Sequence, residues 1–212
     1  MKLNKWNLYF ITATIITIAI CIIQKSSVIL SIISITGVIY SLLVTKNTKY
    51  AFIFGMINVA NYGYILFTEN IYGGFIYNVL YSLPMLVWGY INWGKKSKLK
   101  DSGIKKMDMK TKIISSILIF VTICIFGYIL NILGSNNYVL DSVSTVLGYT
   151  GIYLMTNKYI EQWDIWVICN LANLTLWISL IITDLSNLPV VIMWLIYFIN
   201  SLYGYITWNK KY

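Results

Sequence analysis

The chain has 212 residues, of which 58% are hydrophobic and 11% charged, with a mean hydropathy of +0.72 and a formal net charge of +9. A single soluble core of this size does not hide so much apolar surface, so the composition excludes a water-soluble globule and marks an integral membrane protein. The chain has no histidine, and Cys21, Cys124 and Cys169 each stand alone in an apolar run. That excludes zinc centres and imidazole catalysis, and it predicts buried free thiols.

The first apolar run, 6–23, follows Lys2 and Lys5. It lacks a small-x-small cleavage site, and Ile20 before Cys21 does not suit a lipoprotein site, so it reads as a retained helix. Runs at 27–44, 50–67 and 73–93 come next. The last carries Pro84 mid-span, where a missing N–H and the ring bulk bend a helix, either as a gating hinge or as a static kink. The lysine-rich stretch KKSKLKDSGIKKMDMKTK fills 95–112. Lying beside two spans, it is expected to be a solvated, headgroup-facing loop rather than a nucleic-acid site. Runs at 113–133, 142–156, 163–182 and 188–208 complete eight predicted spans, each near the ~20 residues that a bilayer core requires. The run at 142–156 is short and is expected to extend past those bounds.

The lysines orient the spans. With eight crossings, both termini and the even-numbered loops share one side, which holds every lysine except Lys25. Glu69, Asp141 and Asp184 lie with Lys25 on the other side. Such asymmetry puts both termini in the cytoplasm, in a multi-pass protein of the cell membrane.

The chain also repeats itself. GYINWGKK at 89–96 returns as GYITWNKK at 204–211. The same shift lays Asn58 on Asn173, Tyr62 on Trp177 and the TE at 68–69 on the TD at 183–184. With a one-residue slip, the TG at 36–37 meets the TG at 150–151. The predicted fold is an all-α membrane protein of eight transmembrane helices, in which two parallel three-helix repeats are joined by a linker helix. This 3+1+3 layout is SWEET-like, with one extra N-terminal helix. The corresponding segments are 1–26 (extra helix), 27–94 (first repeat), 95–112 (loop), 113–141 (linker) and 142–212 (second repeat). The twin endings are expected to set Trp93 and Trp208 in the interfacial aromatic belt.

No acid or lysine is expected at depth, because every one reads as a helix end or loop residue. That speaks against carboxylate-based ion coupling and against an intramembrane hydrolase, so neither an enzyme nor a cofactor is expected. The mid-membrane polar residues are amides and aromatics. Trp163, Trp166, Asn170, Asn173 and Trp177 are spaced 3, 4, 3 and 4 apart, within about 80° of one helical face. The equivalent span presents Asn58, Asn61 and Tyr62, and the last span adds Tyr197, Asn200 and Ser201. A belt position also fits Trp163, and interhelical hydrogen bonding also fits single asparagines. Together they predict a polar cavity walled by flat rings, suited to a neutral or monocationic, ring-bearing solute.

EQWDIWVICN at 161–170, with Trp163, Trp166 and Asn170, resembles the WxxW-Asn pattern of the PnuC family of bacterial vitamin transporters. The Gly-x-x-x-Trp endings are similar to that family's as well, and the resemblance spans about 27–211. It implies facilitated uptake of nicotinamide riboside, with related members for thiamine and riboflavin, and trapping of the solute by a cytoplasmic kinase. It also implies that Trp163, Trp166 and Asn170 contact the substrate. Pro84 and Leu86 depart from the family pattern, standing where many members carry polar residues. Thiamine, riboflavin or a nucleoside therefore stand as alternative substrates. A sugar uniporter of the SWEET type and a non-transporting scaffold are the rival classes. The expected partners are the small solute and membrane lipid, with no nucleic acid, and self-association is left open.

Overall fold

The computed structural model describes residues 5–46, 48–94, 104–135, 137–182 and 184–211. Apart from one isolated bridge between Lys105 and Tyr159, the regular structure among them is helical. In chain order the helices are α1 (Lys5–Ile23), α2 (Val28–Thr45), α3 (Ala51–Thr68) and α4 (Tyr72–Ile76). A π-helical segment (Tyr77–Ser82) joins α4 to α5 (Leu83–Gly94). Then come α6 (Met109–Ile132), α7 (Tyr138–Thr156), α8 (Gln162–Ile181), a 3₁₀ turn (Leu185–Asn187) and α9 (Leu188–Lys211).

Six of these segments are long and apolar enough to cross a membrane: α2, α3, the continuous α4–π–α5 rod, α6, α8 and α9 with its 3₁₀ lead-in. The apolar part of α1, Asn7–Ile23, is shorter. Helix α7 starts at Tyr138, so the short run at 142–156 does extend past its expected start, into the stretch 113–141 read as linker.

Local chemistry fixes the helix ends. Ser27 caps α2 by accepting the Leu30 N–H, and Asp108 caps α6 by accepting the Thr111 N–H. Helices α1, α3, α6 and α7 all stop in the same way. Lys25, Asn70, Gly134 and Lys158 adopt positive φ just past each end. The next residue's N–H then reaches back to a carbonyl five earlier, as Ile71 does to Leu66 and Tyr159 to Leu154. This 6→1 closure turns the chain around within three to five residues.

The packing brings two groups of helices together. Helix α2 packs on α3 and on α9, while α7 packs on α8 and on the α4–π–α5 rod. The first helix of each group therefore touches the last helix of the other. Helix α1 lies against α2 and α9, and α6 against α7. Only Gly127 and Leu130 of α6 are buried, while Ile117, Leu118 and Phe120 face outward, as a lipid-facing helix requires. Cys21 and Cys169 are buried as expected, but Cys124 is exposed on α6. Its apolar neighbours signalled an environment of lipid rather than of core.

Of the lysine-rich loop, 95–103 lie outside the described residues. Its second part docks its backbone against the α7–α8 turn, while Lys105, Lys106 and Lys110 stay exposed. The Lys105 N–H donates to the Lys158 carbonyl, and the Lys105 carbonyl accepts the Ile160 N–H, each at 2.9 Å. Glu161 receives the Met107 N–H at 3.0 Å and pairs with Lys112 at 2.9 Å.

Candidate functional site

Between the two groups of helices lies a cavity of about 100 Å³, several times the ~10–15 Å³ that one ordered water occupies. Its walls come from α2, α3, α4 and the π segment, α7, α8 and α9. Nine of the eleven residues singled out from the sequence line it: Asn58, Tyr62, Trp163, Trp166, Asn170, Asn173, Tyr197, Asn200 and Ser201. Asn61 does not. It is half-buried and its Nδ2 donates to the Ile57 carbonyl of its own helix at 2.8 Å. The lining residues of α3 are Asn58, Val59, Tyr62 and Leu66, whose mean direction lies roughly 115° around the helix from Asn61.

Toward the lysine-poor side the cavity wall carries an aromatic knot. The Tyr62 hydroxyl accepts the indole N–H of Trp177 at 2.6 Å and that of Trp194 at 3.1 Å. Trp177 is fully buried in this knot instead of lining the cavity. At the lysine-rich end the Tyr40 hydroxyl meets the Met155 sulfur at 3.5 Å. Asn200 Nδ2 there donates to the Ser41 carbonyl at 2.7 Å and to its hydroxyl oxygen at 2.8 Å. Tyr62 with Trp177, and Tyr40 with Met155, are each 115 residues apart. That is the offset of the sequence repeat.

The amides divide by use. Asn58 Nδ2 donates to the Ile33 carbonyl at 2.7 Å, and Asn173 Nδ2 to the Cys169 carbonyl at 3.0 Å. Asn170 Nδ2 donates to the Tyr197 carbonyl at 3.1 Å, which leaves its Oδ1 buried and without a partner among the described residues. The Tyr197 hydroxyl and the Trp163 indole N–H are likewise buried and unpartnered. Each such group costs about 1–3 kcal/mol unless something in the cavity bonds to it. The three atoms offer an acceptor, a hydroxyl and a donor.

Several wall residues were not expected. Tyr77, Asn78 and Ser82 come from the π segment, and Ser144 and Thr145 from α7. The π segment lies just ahead of Pro84, whose missing N–H and ring, pressing on the carbonyl four residues back, favour a widened turn there. Leu83 N–H accordingly reaches the Asn78 carbonyl, five residues back. The largest correction is Asp141. Read as a loop acid, it sits in the first turn of α7, fully buried, on the cavity wall. Its carboxylate accepts four donors: Ser135 hydroxyl at 2.7 Å, Gly74 N–H at 3.0 Å, Gly73 N–H at 3.2 Å and Thr145 hydroxyl at 3.2 Å. An acid in a helix's first turn satisfies exposed N–H groups in most contexts, so its burial leaves no mark in the sequence.

The expected belt positions are also corrected. Trp93 and Trp208 are 8% and 4% exposed, not interfacial. Trp93 packs edge-on against Phe52 with ring centres 5.0 Å apart, and Trp208 packs edge-on against Trp163 at 5.5 Å. The glycine four residues before each makes this fit. A Cβ on Gly89 would run into the Phe52 ring, and one on Gly204 into the Trp163 ring.

Residues 27–210 match the family described as nicotinamide mononucleotide transporter. A nicotinamide riboside transporter PnuC from Neisseria mucosa is 29% identical over 212 residues, covering 97% of this chain and 80% of that protein. The nicotinamide riboside transporter PnuC from Haemophilus influenzae is 29% identical over 182 residues, 83% of this chain and 76% of that one. The crystal structure of the vitamin B3 transporter PnuC is similar with a TM-score of 0.84 at 25% identity, covering 99% of this chain and 92% of that chain.

Proposed function

This chain belongs to the PnuC family of nicotinamide mononucleotide transporters, and from that premise we propose that it carries nicotinamide riboside across the membrane by facilitated diffusion. It is a multi-pass membrane transporter; the solute, the mode and the orientation are the proposal. The observation that carries the choice of solute is the set of unpartnered atoms, Asn170 Oδ1, Tyr197 hydroxyl and Trp163 N–H, on residues that line the same cavity as Trp166. A flat ring stacks on Trp166, and ribose hydroxyls and a carboxamide bond to the trio. Asn58, Asn173, Tyr62 and Asn200 complete the contact shell. A mononucleotide is disfavoured because, among the described residues, no lysine lines the cavity and the one charged wall residue is a carboxylate. A phosphate there would be buried without a counter-charge, which costs several kcal/mol.

Two three-helix repeats, α2 to α5 and α7 to α9, face each other across a pseudo-twofold axis along the membrane normal, with α6 as linker and α1 outside. The meetings of Tyr62 with Trp177 and of Tyr40 with Met155 support this reading, because equivalent residues touch only at such an axis. All eight helical rods cross the cell membrane, with the lysine-rich end in the cytoplasm. Transport is uniport, and a cytoplasmic kinase makes it unidirectional. The buried carboxylate does not argue for proton coupling, since four donors occupy its lone pairs.

Calorimetric titration of the purified protein with nicotinamide riboside, its mononucleotide, thiamine and riboflavin tests the solute. Saturable binding of the riboside alone is expected. Equal or tighter binding of the mononucleotide overturns the reading. In proteoliposomes the riboside should equilibrate without accumulating, whatever proton or sodium gradient is imposed; gradient-driven accumulation without a kinase removes uniport.

A further inference from the structure

Among the described residues Asp141 is the one carboxylate on the cavity wall, and no lysine joins it there. Its side chain is completely buried, so water does not screen its field. All four of its contacts are donors: two backbone N–H groups and two hydroxyls that can turn their hydrogens toward it. The Gly74 N–H holds one carboxylate oxygen and the Gly73 N–H the other, and both hydroxyls can donate as well, a set of partners that suits an ionised carboxylate. Gly73 lets the carboxylate approach, since a Cβ at that position would lie 2.9 Å from Oδ1. Among the described residues no lysine pairs with Asp141. A buried charge with hydrogen bonds but no counter-charge is expensive, and an arriving cation offsets part of that cost.

We propose that Asp141 is the charge-selecting residue of the site: it makes the cavity favour a monocationic ring solute over a neutral one of the same shape. The inference rests on the riboside reading, because the oxidised nicotinamide ring carries one positive charge. Asp141 acts through its field and not through a direct hydrogen bond, its oxygens being already occupied. The rival role is purely structural, a clasp that ties the start of α4 to α7 through Gly73 and Gly74.

Nicotinamide riboside and its dihydro form separate the two roles. They differ by a hydride, so one is cationic and the other neutral at nearly the same shape. Affinities of both are measured by titration on the full-length protein, in the parent and in two variants. In Asp141→Asn the cation should lose about five-fold or more in affinity, the effect of a unit charge roughly 15 Å away, ten residues along α7, at a buried site's effective dielectric, while the neutral form stays within about two-fold. Thr145→Val removes one bond of the clasp but keeps the charge, and should leave the cation-to-neutral ratio unchanged. Equal losses for both ligands in Asp141→Asn, or none, overturn the selecting role. If that variant does not fold, the parent decides: a protein that binds the neutral form as tightly as the cation has no charge selection. A parent that binds neither form rejects the riboside reading instead.

Discussion

Gly89 and Gly204 stand at matching places in the two repeated helix endings, and each makes room for an aromatic ring from the start of the preceding helix. At Gly89 the ring is Phe52, and Trp93 closes over its edge; at Gly204 the ring is Trp163, and Trp208 does the same. Phe52 is fully enclosed by apolar neighbours and contributes nothing to the cavity. Trp163 is larger, reaches the cavity wall and brings an N–H without a partner. One packing device thus serves as a plain helix clamp in the first group and as both clamp and binding wall in the second. The same bias runs along the helices above: α8 lines the cavity with Trp166, Asn170 and Asn173, where α3 offers Asn58, Val59 and Tyr62.

Filling the two glycine notches breaks the comparison most sharply. Gly204→Val drives the Trp163 ring off its seat, and riboside affinity is expected to fall by more than about 100-fold. Gly89→Val displaces Phe52, with an overpacking cost of roughly 1–3 kcal/mol and no more than a few-fold change in the affinity of the folded fraction. Thermal unfolding and titration of both variants decide the matter. Equal affinity losses would mean that both clamps support the site alike.

A smaller effect belongs to single wall residues. Loss of a ring–cation contact at Trp166 costs about 1–2 kcal/mol, and loss of the Asn170 amide about 1–3 kcal/mol. Trp166→Ala and Asn170→Ala should each weaken binding about ten- to a hundred-fold. Asn61→Ala should leave affinity unchanged, because Asn61 bonds only within its own helix. A loss at Asn61 comparable to that at Asn170 would contradict the observed facing of α3.

What the sequence made legible follows from signals that survive without neighbours. Apolar runs and lysine asymmetry report on lipid and water, and the 3–4 spacing of Trp163, Trp166, Asn170 and Asn173 reports on one helix face. Which way that face turns is a property of the neighbouring helices. Asn61 shares an arc with Asn58 and Tyr62, yet Val59 and Leu66 set the direction in which α3 looks. Trp93 and Trp208 resembled belt residues because both stand near helix ends. The glycine four positions earlier in both copies was the sign of a notch instead. Asp141 was unreadable in principle: its partners Gly73 and Gly74 lie 68 and 67 residues away.

Between the two closing tryptophans the expected difference is modest. Trp208→Ala leaves Trp163 seated in the Gly204 notch but unsupported at its edge, so a few-fold loss of affinity is expected. Trp93→Ala should lower the unfolding temperature without touching affinity. Identical behaviour of the two in titration would show that Trp163 needs no support from Trp208.

The smallest effect is expected where the two groups differ most visibly in backbone. The α4–π–α5 rod is widened over Tyr77–Ser82 ahead of Pro84, whereas α9 runs unbroken, with Ile199 at the matching place. The widened turn is also held by its surroundings. The Tyr77 ring fills the notch at Gly148, where a Cβ would stand 3.0 Å from it. Asn78 Nδ2 donates to the Gly74 carbonyl at 2.7 Å, and the Tyr81 hydroxyl to the Tyr149 carbonyl at 3.2 Å. With those contacts intact, Pro84→Ala keeps the π segment and its wall residues in place, so riboside affinity should stay within about two-fold. Helix propensity alone favours alanine over proline by about 3 kcal/mol, and a turn maintained by proline only would collapse to regular α geometry. Asn78 and Ser82 would then rotate away from the cavity and binding would fall with them. Transport in proteoliposomes separates a static kink from a hinge: an unchanged rate in Pro84→Ala identifies a kink, and a slowed rate at unchanged affinity identifies a hinge.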